Sequence, residues 1–319
     1  MSKTYGGQAV LEGVMMRGQR TMAVACRAPS GEVVVHSEPV SPSAYVGRYA
    51  KIPFLRGALM IWDTLALGIR SLMFAANVAA AEDDNAAREA TMPSTVMWTT
   101  IVVAILAATG LFFVLPVLAM GYLDRFISSS IVSNVVEKVI RLGLMLGYMF
   151  AIGQMPDIKR VFMYHGAEHK TINAYEAGAE LTPESVQHYP IEHPRCGTTF
   201  LLIVMLISFA LFALLGRPEL WIRIGSRIVL IPLIAGIAYE FIKWAGANYH
   251  KSAFVRALMA PGLAVQKLTT REPTLDQLAV AIAALEPVLA AEEEGFVRAT
   301  APAVPPRQPE PVAAAVGAE

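Results

Sequence analysis

The sequence predicts a mainly α-helical, polytopic membrane protein with about four transmembrane helices and a small N-terminal β region. Three observations carry that reading. Of 319 residues, 55% are hydrophobic and 16% charged, with mean hydropathy +0.48, whereas soluble domains carry roughly 25% charged residues. The apolar surplus is gathered into long uncharged stretches. Residues 5–40, by contrast, read as short strands, with GEVVVHSEPV alternating and β-branched. The 26 basic and 26 acidic residues balance, which argues against a dedicated nucleic-acid binder. Two cysteines, Cys26 and Cys196, are too few for a disulfide framework.

Residues 1–50 form the expected cytoplasmic β region. TMAVACRA and GEVVVHSEPV read as strands around a turn at Pro29-Ser30-Gly31, and VLEGVMMRG reads as a further strand or a glycine-bounded loop. No signal peptide is expected, because residues 1–20 hold Glu12, Arg17 and several glycines but no apolar core segment. Residues 51–90 should form an amphipathic or membrane-associated helix and a linker. Arg56, Asp63 and Arg70 recur at seven-residue intervals within Ile52–Ala80, so a polar stripe runs along an apolar helix. An interfacial or bundle-packed helix fits that pattern better than a lipid-exposed span.

Residues 91–250 hold the spans. The first lies within the uncharged stretch Ala90–Leu123, with Trp98 and Tyr122 near its ends and Pro116 as a kink. The second combines the uncharged 142–156 stretch with residues 136–141. The third is Gly197–Gly216, and the fourth, Ile228–Trp244, is interrupted by Glu240 and Lys243. Lysine and arginine concentrate in the first 95 residues, in the 157–197 loop and after residue 248. The positive-inside rule therefore puts both termini and that loop in the cytoplasm. Residues 251–298 should form C-terminal cytoplasmic helices, and PTLDQLAVAIAALEPVLAAEEE offers a face for packing or for a cytosolic protein partner. Residues 299–319, rich in Ala and Pro, read as a disordered tail.

The chemistry concentrates in the 157–197 loop. In YHGAEHKTINAYEAG, a helix would set His165 and His169 about 40° apart, with Glu176 between them and Glu168 about 60° to one side. Two imidazoles at i and i+4 can chelate one cation, and H-x-x-E-H is the inverted zincin order, in which the glutamate is the general base. IEHPRCGTTF adds His193 and Cys196 directly before the third span. For nitrogen and sulfur donors the expected divalent metal is zinc. The bland alternative is a solvated or hydrogen-bonded histidine pair, with Cys196 as a small buried residue. Glu240, a carboxylate within an apolar helix, is a further candidate ligand or proton acceptor. In GGQAVLEGVMMRG, Arg17 could hold an anion between glycines, or it could simply pair with Glu12.

Taken in order, GGQAVLEGVMMRG, YHGAEHKTINAYE, HPRCGTTFLL and GIAYEFIKWAG resemble the signature blocks of the YqhQ-like family of bacterial multi-pass membrane proteins of unknown function, over roughly residues 5 to 290. The resemblance implies a multi-pass protein of the bacterial inner membrane, and members are sometimes described as predicted metal-dependent enzymes. Carried over by position, it marks Glu12, Arg17, His165, Glu168, His169, Asn173, His193, Cys196 and Glu240, with Glu12, Arg17 and Asn173 as substrate-binding candidates.

Two functions follow as expectations. In the first, zinc on His165, His169 and one of His193, Cys196 or Glu240 serves a hydrolase at the cytoplasmic face, with Glu168 taking the proton. In the second, the chain is a non-catalytic membrane scaffold whose histidine cluster is structural. A transporter is disfavoured, since no inverted repeat is visible.

Overall fold

The computed structural model describes residues 5–40, 52, 55–81, 94–214 and 220–300. Four strands, β1 (Gly6–Val10), β2 (Gly13–Arg17), β3 (Thr21–Arg27) and β4 (Val33–Pro39), form an antiparallel meander in sequence order. VLEGVMMRG is thus a hairpin and not a loop, paired from Gly6↔Arg17 to Val10↔Gly13. Its tip places Glu12 in the left-handed region at φ +51°. Most of the helical elements follow the apolar pattern: α1 (Leu55–Ala80), α2 (Ser94–Thr109), α3 (Leu115–Leu123), α4 (Ser130–Ile152), α5 (Pro156–Glu176), the short α6 (Pro183–Val186), α7 (Gly197–Leu214), α8 (Leu220–Asn248), α9 (Ala253–Thr269) and α10 (Leu275–Thr300). The tail expected after residue 300 and part of the 51–90 linker lie outside the described residues.

Successive strand residues point to opposite faces, and here both faces are buried. Val14, Met16, Ala23 and Ala25 share a core with Tyr164, Ala167 and Ile172 of α5 and with Leu278, Ala281, Leu285 and Val288 of α10. The alternate residues Met15, Met22, Val24 and Cys26 pack with Leu67, Ala75 and Val78 of α1. Burial pushes the Cys26 thiol up to about 12, so it serves as a packing residue. The face of α10 that looked available to a partner therefore lies against the chain's own sheet. The polar stripe on α1 is also fully paired: Arg56 with Glu240 of α8, Asp63 with Arg17 of β2, and Arg70 with Glu38 of β4.

Among the described residues, three helices are long and apolar enough to cross a membrane: Leu59–Ala80, Trp98–Leu123 and Val229–Asn248. Gly197–Phe212 is apolar but shorter. This differs from the expected set in three places, the shorter 197–212 helix being one. The helix expected to be interfacial has the composition of a span. The helix expected as the second span does not, because α4 carries Glu137, Lys138 and Arg141. Those charges are accommodated locally. Arg141 pairs with Glu137 at 2.7 Å and donates at 3.3 Å to the Phe112 carbonyl. Phe112 lies in a π-helical turn, Gly110–Val114, that joins α2 to α3. Pro116, four residues on, has no N–H to offer that carbonyl, so the ladder shifts and a neighbouring helix supplies a donor.

The C-terminal helix is fixed by one carboxylate. Buried Glu292 Oε1 accepts from the amides of Gln19 and Arg20, at 2.7 and 2.9 Å, and so caps the β2–β3 turn. Glu292→Ala is expected to cost about 2–3 kcal/mol, read as a shift in denaturation midpoint in neutral detergent. An unchanged midpoint would show that α10 is held without this cap.

Candidate metal centre

Helix α5 starts with Pro156 at its first turn, beside Asp157, where a fixed φ and an acidic side chain favour helix initiation. It then runs between the sheet and α10 on one side and the 187–196 segment on another. Glu168, His169 and Lys170 are consequently buried.

Each imidazole of the H-x-x-E-H pair is oriented by a main-chain carbonyl. His165 Nδ1 donates to Thr269 O at 2.8 Å and His169 Nδ1 to Ile191 O at 2.6 Å. A carbonyl can only accept, so both Nδ1 atoms carry hydrogen, and in the neutral rings both Nε2 atoms present lone pairs. Metal-binding histidines are oriented this way in general. The rings lie 4.4 Å apart, and Cys196 Sγ is 3.3 Å from His165 Nε2. One ligand atom from each of His165, His169 and Cys196 lies within 4.8 Å of the others. Cys196 directly precedes α7, and the Thr198 amide donates to its sulfur at 3.4 Å.

Glu168 stands beside this cluster, its Oε2 4.0 Å from His165 Nε2. Burial raises its carboxyl to about 7, with His165 and the Gly7 amide pulling the other way. Gly7 also provides the space. A Cβ there would lie 2.5 Å from Met15 O and 2.8 Å from Glu168 Cγ, closer than side-chain carbons pack.

His193 is adjacent but outside the three-atom cluster. Its ring is 5.6 Å from that of His169, and its buried Nε2 has no hydrogen-bond partner, the nearest carboxylate oxygen being Glu176 Oε2 at 3.8 Å. Burial lowers His193 to about 4, against the pull of Glu176. Burial alone would raise Glu176, but His193 and Arg195 outweigh it and hold the carboxyl down at about 2. Because His193 is neutral near pH 7, Arg195 supplies the charge.

The segment that carries His193 and Cys196 is stitched down by side chains. Lys170 Nζ donates to Gln187 O at 2.7 Å, and Asn173 Nδ2 to Pro190 O and Glu192 O at 2.8 and 3.1 Å. Gln266 accepts from His193 N at 3.0 Å and donates to His193 O and Thr199 Oγ1, each at 2.8 Å.

The structure thus brings His165, Glu168, His169 and Cys196 together, with His193 alongside. It sets the other expected site residues apart. Glu240 forms a two-pronged ion pair with Arg56 in the contact between α1 and α8. Arg17 pairs with Asp63 and Thr64, not with Glu12. Glu12 receives Arg160 and Tyr164 and ties the β1–β2 hairpin to α5. Asn173 gives its amide to the 190–192 backbone. Sequence reasoning missed Gly7, Gln266 and the carbonyls of Ile191 and Thr269. The one legible signal was Gln266, a polar residue on the face of α9 that buries Val255, Met259 and Gly262.

A family model described as a protein of unknown function, DUF1385, matches residues 52–291. The uncharacterized protein YqhQ of Bacillus subtilis (strain 168) is 33% identical over 296 residues, covering 90% of this chain and 93% of that protein. No solved structure matches.

Gly7→Ala should cost about 1–3 kcal/mol by overpacking. Gly6→Ala, whose Cβ would meet nothing within 4 Å, should stay within about 0.5 kcal/mol. Thermal denaturation of the two variants checks this, and equal losses would show that Glu168 does not lie over β1.

Proposed function

The chain belongs to the DUF1385 family of unknown function, and from its geometry we propose that it is an integral membrane protein carrying a zinc centre on the cytoplasmic side that serves hydrolysis. The observation that carries the proposal is the pair of Nδ1–H···O=C bonds, which commits the Nδ1 of both rings and sets His165 Nε2 3.3 Å from Cys196 Sγ, with a ligand atom of each of the three residues within 4.8 Å of the others. Three nitrogen and sulfur ligands with a remaining position are the pattern of catalytic zinc sites. A bound zinc lowers the pKa of a coordinated water and polarises a carbonyl or phosphoryl oxygen. Glu168, held by the Gly7 amide, takes the proton, and the carbonyls of Ile191 and Thr269 keep both imidazoles in one tautomer.

The membrane part of the proposal is supported by parity. The sheet, α5 and α10 share one hydrophobic core, so a bilayer cannot separate them. An even number of crossings must then lie between residues 40 and 156, and again between 176 and 275. The second pair is α7 and α8. In the first interval α1 packs on the sheet from Leu67 onward and on α8 at Gly57, which leaves α2–α3 and α4 as the pair. On this reading α1 lies at the interface, with Trp62, Leu65 and Leu72 exposed toward lipid, and four crossings result.

A second reading, a structural zinc in a non-catalytic scaffold, is favoured by the burial of His169 and Cys196, 1% and 5% exposed. Two measurements decide. Elemental analysis should find stoichiometric zinc in the wild type, little in His169→Ala, and an unchanged amount in Glu168→Gln. Wild type without metal, behaving like His169→Ala, would sink both readings. In cobalt-substituted protein, added azide should shift the visible spectrum if one coordination position is open. An unshifted spectrum would assign the site to the structural reading.

A further inference from the structure

The 190–194 segment is a wall with two different faces. Ile191 and His193 turn toward α5: the Ile191 side chain fills the space beside Gly166, and the His193 ring lies next to His169. The alternate residues Pro190, Glu192 and Pro194 line a cavity of about 390 Å³ on the other side, within the range of roughly 300–1,000 Å³ found for small-molecule sites. Asn173, Tyr249, His250, Leu263 and Lys267 contribute to the remaining walls. The lining is mixed. Leu263 and two alanines of α9 are apolar, Lys267 and His250 offer donors, and Glu192 is the single acid.

The location of the cavity gives this mixture a meaning. Tyr249 and His250 directly follow α8, one of the helices with the length and composition of a span. Helix α9 then exposes Phe254 and Leu258 among the basic residues Lys251, Arg256 and Lys267. Exposed apolar and aromatic side chains beside a set of cations are what a headgroup layer selects.

We propose that this cavity binds the phosphate-bearing headgroup of an anionic phospholipid. Lys267 and His250 meet the phosphate, and the acyl chains leave over Leu263 toward the apolar surface of α9. The proposal rests on the membrane reading given above but not on the metal. Its chemistry is a monoanionic phosphodiester with an attached apolar tail, seated on the outer side of the same segment whose inner side orients His169 and presents His193.

The test uses the full chain in neutral detergent, supplied with equal amounts of dioleoylphosphatidylglycerol and dioleoylphosphatidylcholine and read by native mass spectrometry. Wild type should retain the anionic phosphatidylglycerol preferentially. Lys267→Ala should reduce that retention about fivefold, the expected loss for one lysine near an anionic surface. Glu192→Gln should increase it. Circular dichroism measured on the same samples reports whether Lys267→Ala is folded. Equal retention of the two lipids, or a Lys267→Ala protein that behaves like wild type, overturns the proposal. Displacement of the lipid by millimolar inorganic phosphate alone assigns the cavity to a free anion and likewise overturns it. Alkaline carbonate extraction separates the two possible failures. A chain that washes off membranes sinks the membrane reading, whereas a chain that stays without lipid selectivity sinks only the headgroup site.

Discussion

Burial of the N-terminal sheet on both faces is the constraint on which the rest of the molecule depends. A four-stranded meander with a covered face needs only one partner, yet β2 is buried at every position and β3 at all but its two ends. Each face therefore requires a helix, and the chain supplies α10 from its far end and α1 from just beyond the sheet. Closing the sheet in this way draws residues 6–39, 156–176 and 275–292 into one body. Helix α5 is held in that body by Tyr164, Ala167 and Ile172, so its adjoining face, with His165 and His169, has a defined position. The next segments then meet that face: the 187–196 stretch supplies one carbonyl and the thiol, and the end of α9 supplies the other carbonyl.

Polar groups follow the same economy. Charges in the apolar part of the chain are matched across helices: Arg56 with Glu240, and Arg141, already paired with Glu137 one turn away on α4, with the carbonyl that Pro116 leaves unserved. An unmatched charge or carbonyl in such surroundings costs several kcal/mol, so each pair also fixes which helices are neighbours. Around α5 the matches run from side chain to main chain. Lys170, Asn173 and Gln266 together satisfy the backbone of a segment with no ladder of its own. That segment can therefore hold His193 and Cys196 steady without being a helix or a strand.

Much of this was legible in the residues. Strands were expected at TMAVACRA and at the alternating, β-branched GEVVVHSEPV, and β3 and β4 are there. The i and i+4 spacing of His165 and His169 implied neighbouring rings on one helical face, and Cys196 was expected beside them. The exceptions share one cause. Glu240, Arg17 and Glu12 stood out because a charge in an apolar or glycine-rich setting needs a partner, and Asn173 only through the family resemblance. A linear sequence shows the need but not the partner. For Glu240 it was Arg56, 184 residues away, and for Arg17 it was Asp63. Gly7 was equally opaque, since nothing near it in the chain says that Glu168 will press against it.

The sequence by itself determined the secondary structure, the apolar helices and the one segment where imidazoles, carboxylates and a thiol gather, because these depend on local composition and on the fixed periods of helix and strand. Only the tertiary structure decided which charges are spent on packing and which polar atoms stay open at the cluster. The paired faces of α1 and the sheet consume Arg17 and Asp63, and the α1–α8 contact consumes Glu240. The carbonyls of Ile191 and Thr269 take the Nδ1 hydrogens, and His165 Nε2 meets Cys196 Sγ. Those outcomes depend on contacts between residues 22 to 184 positions apart, a range over which periodicity carries no information.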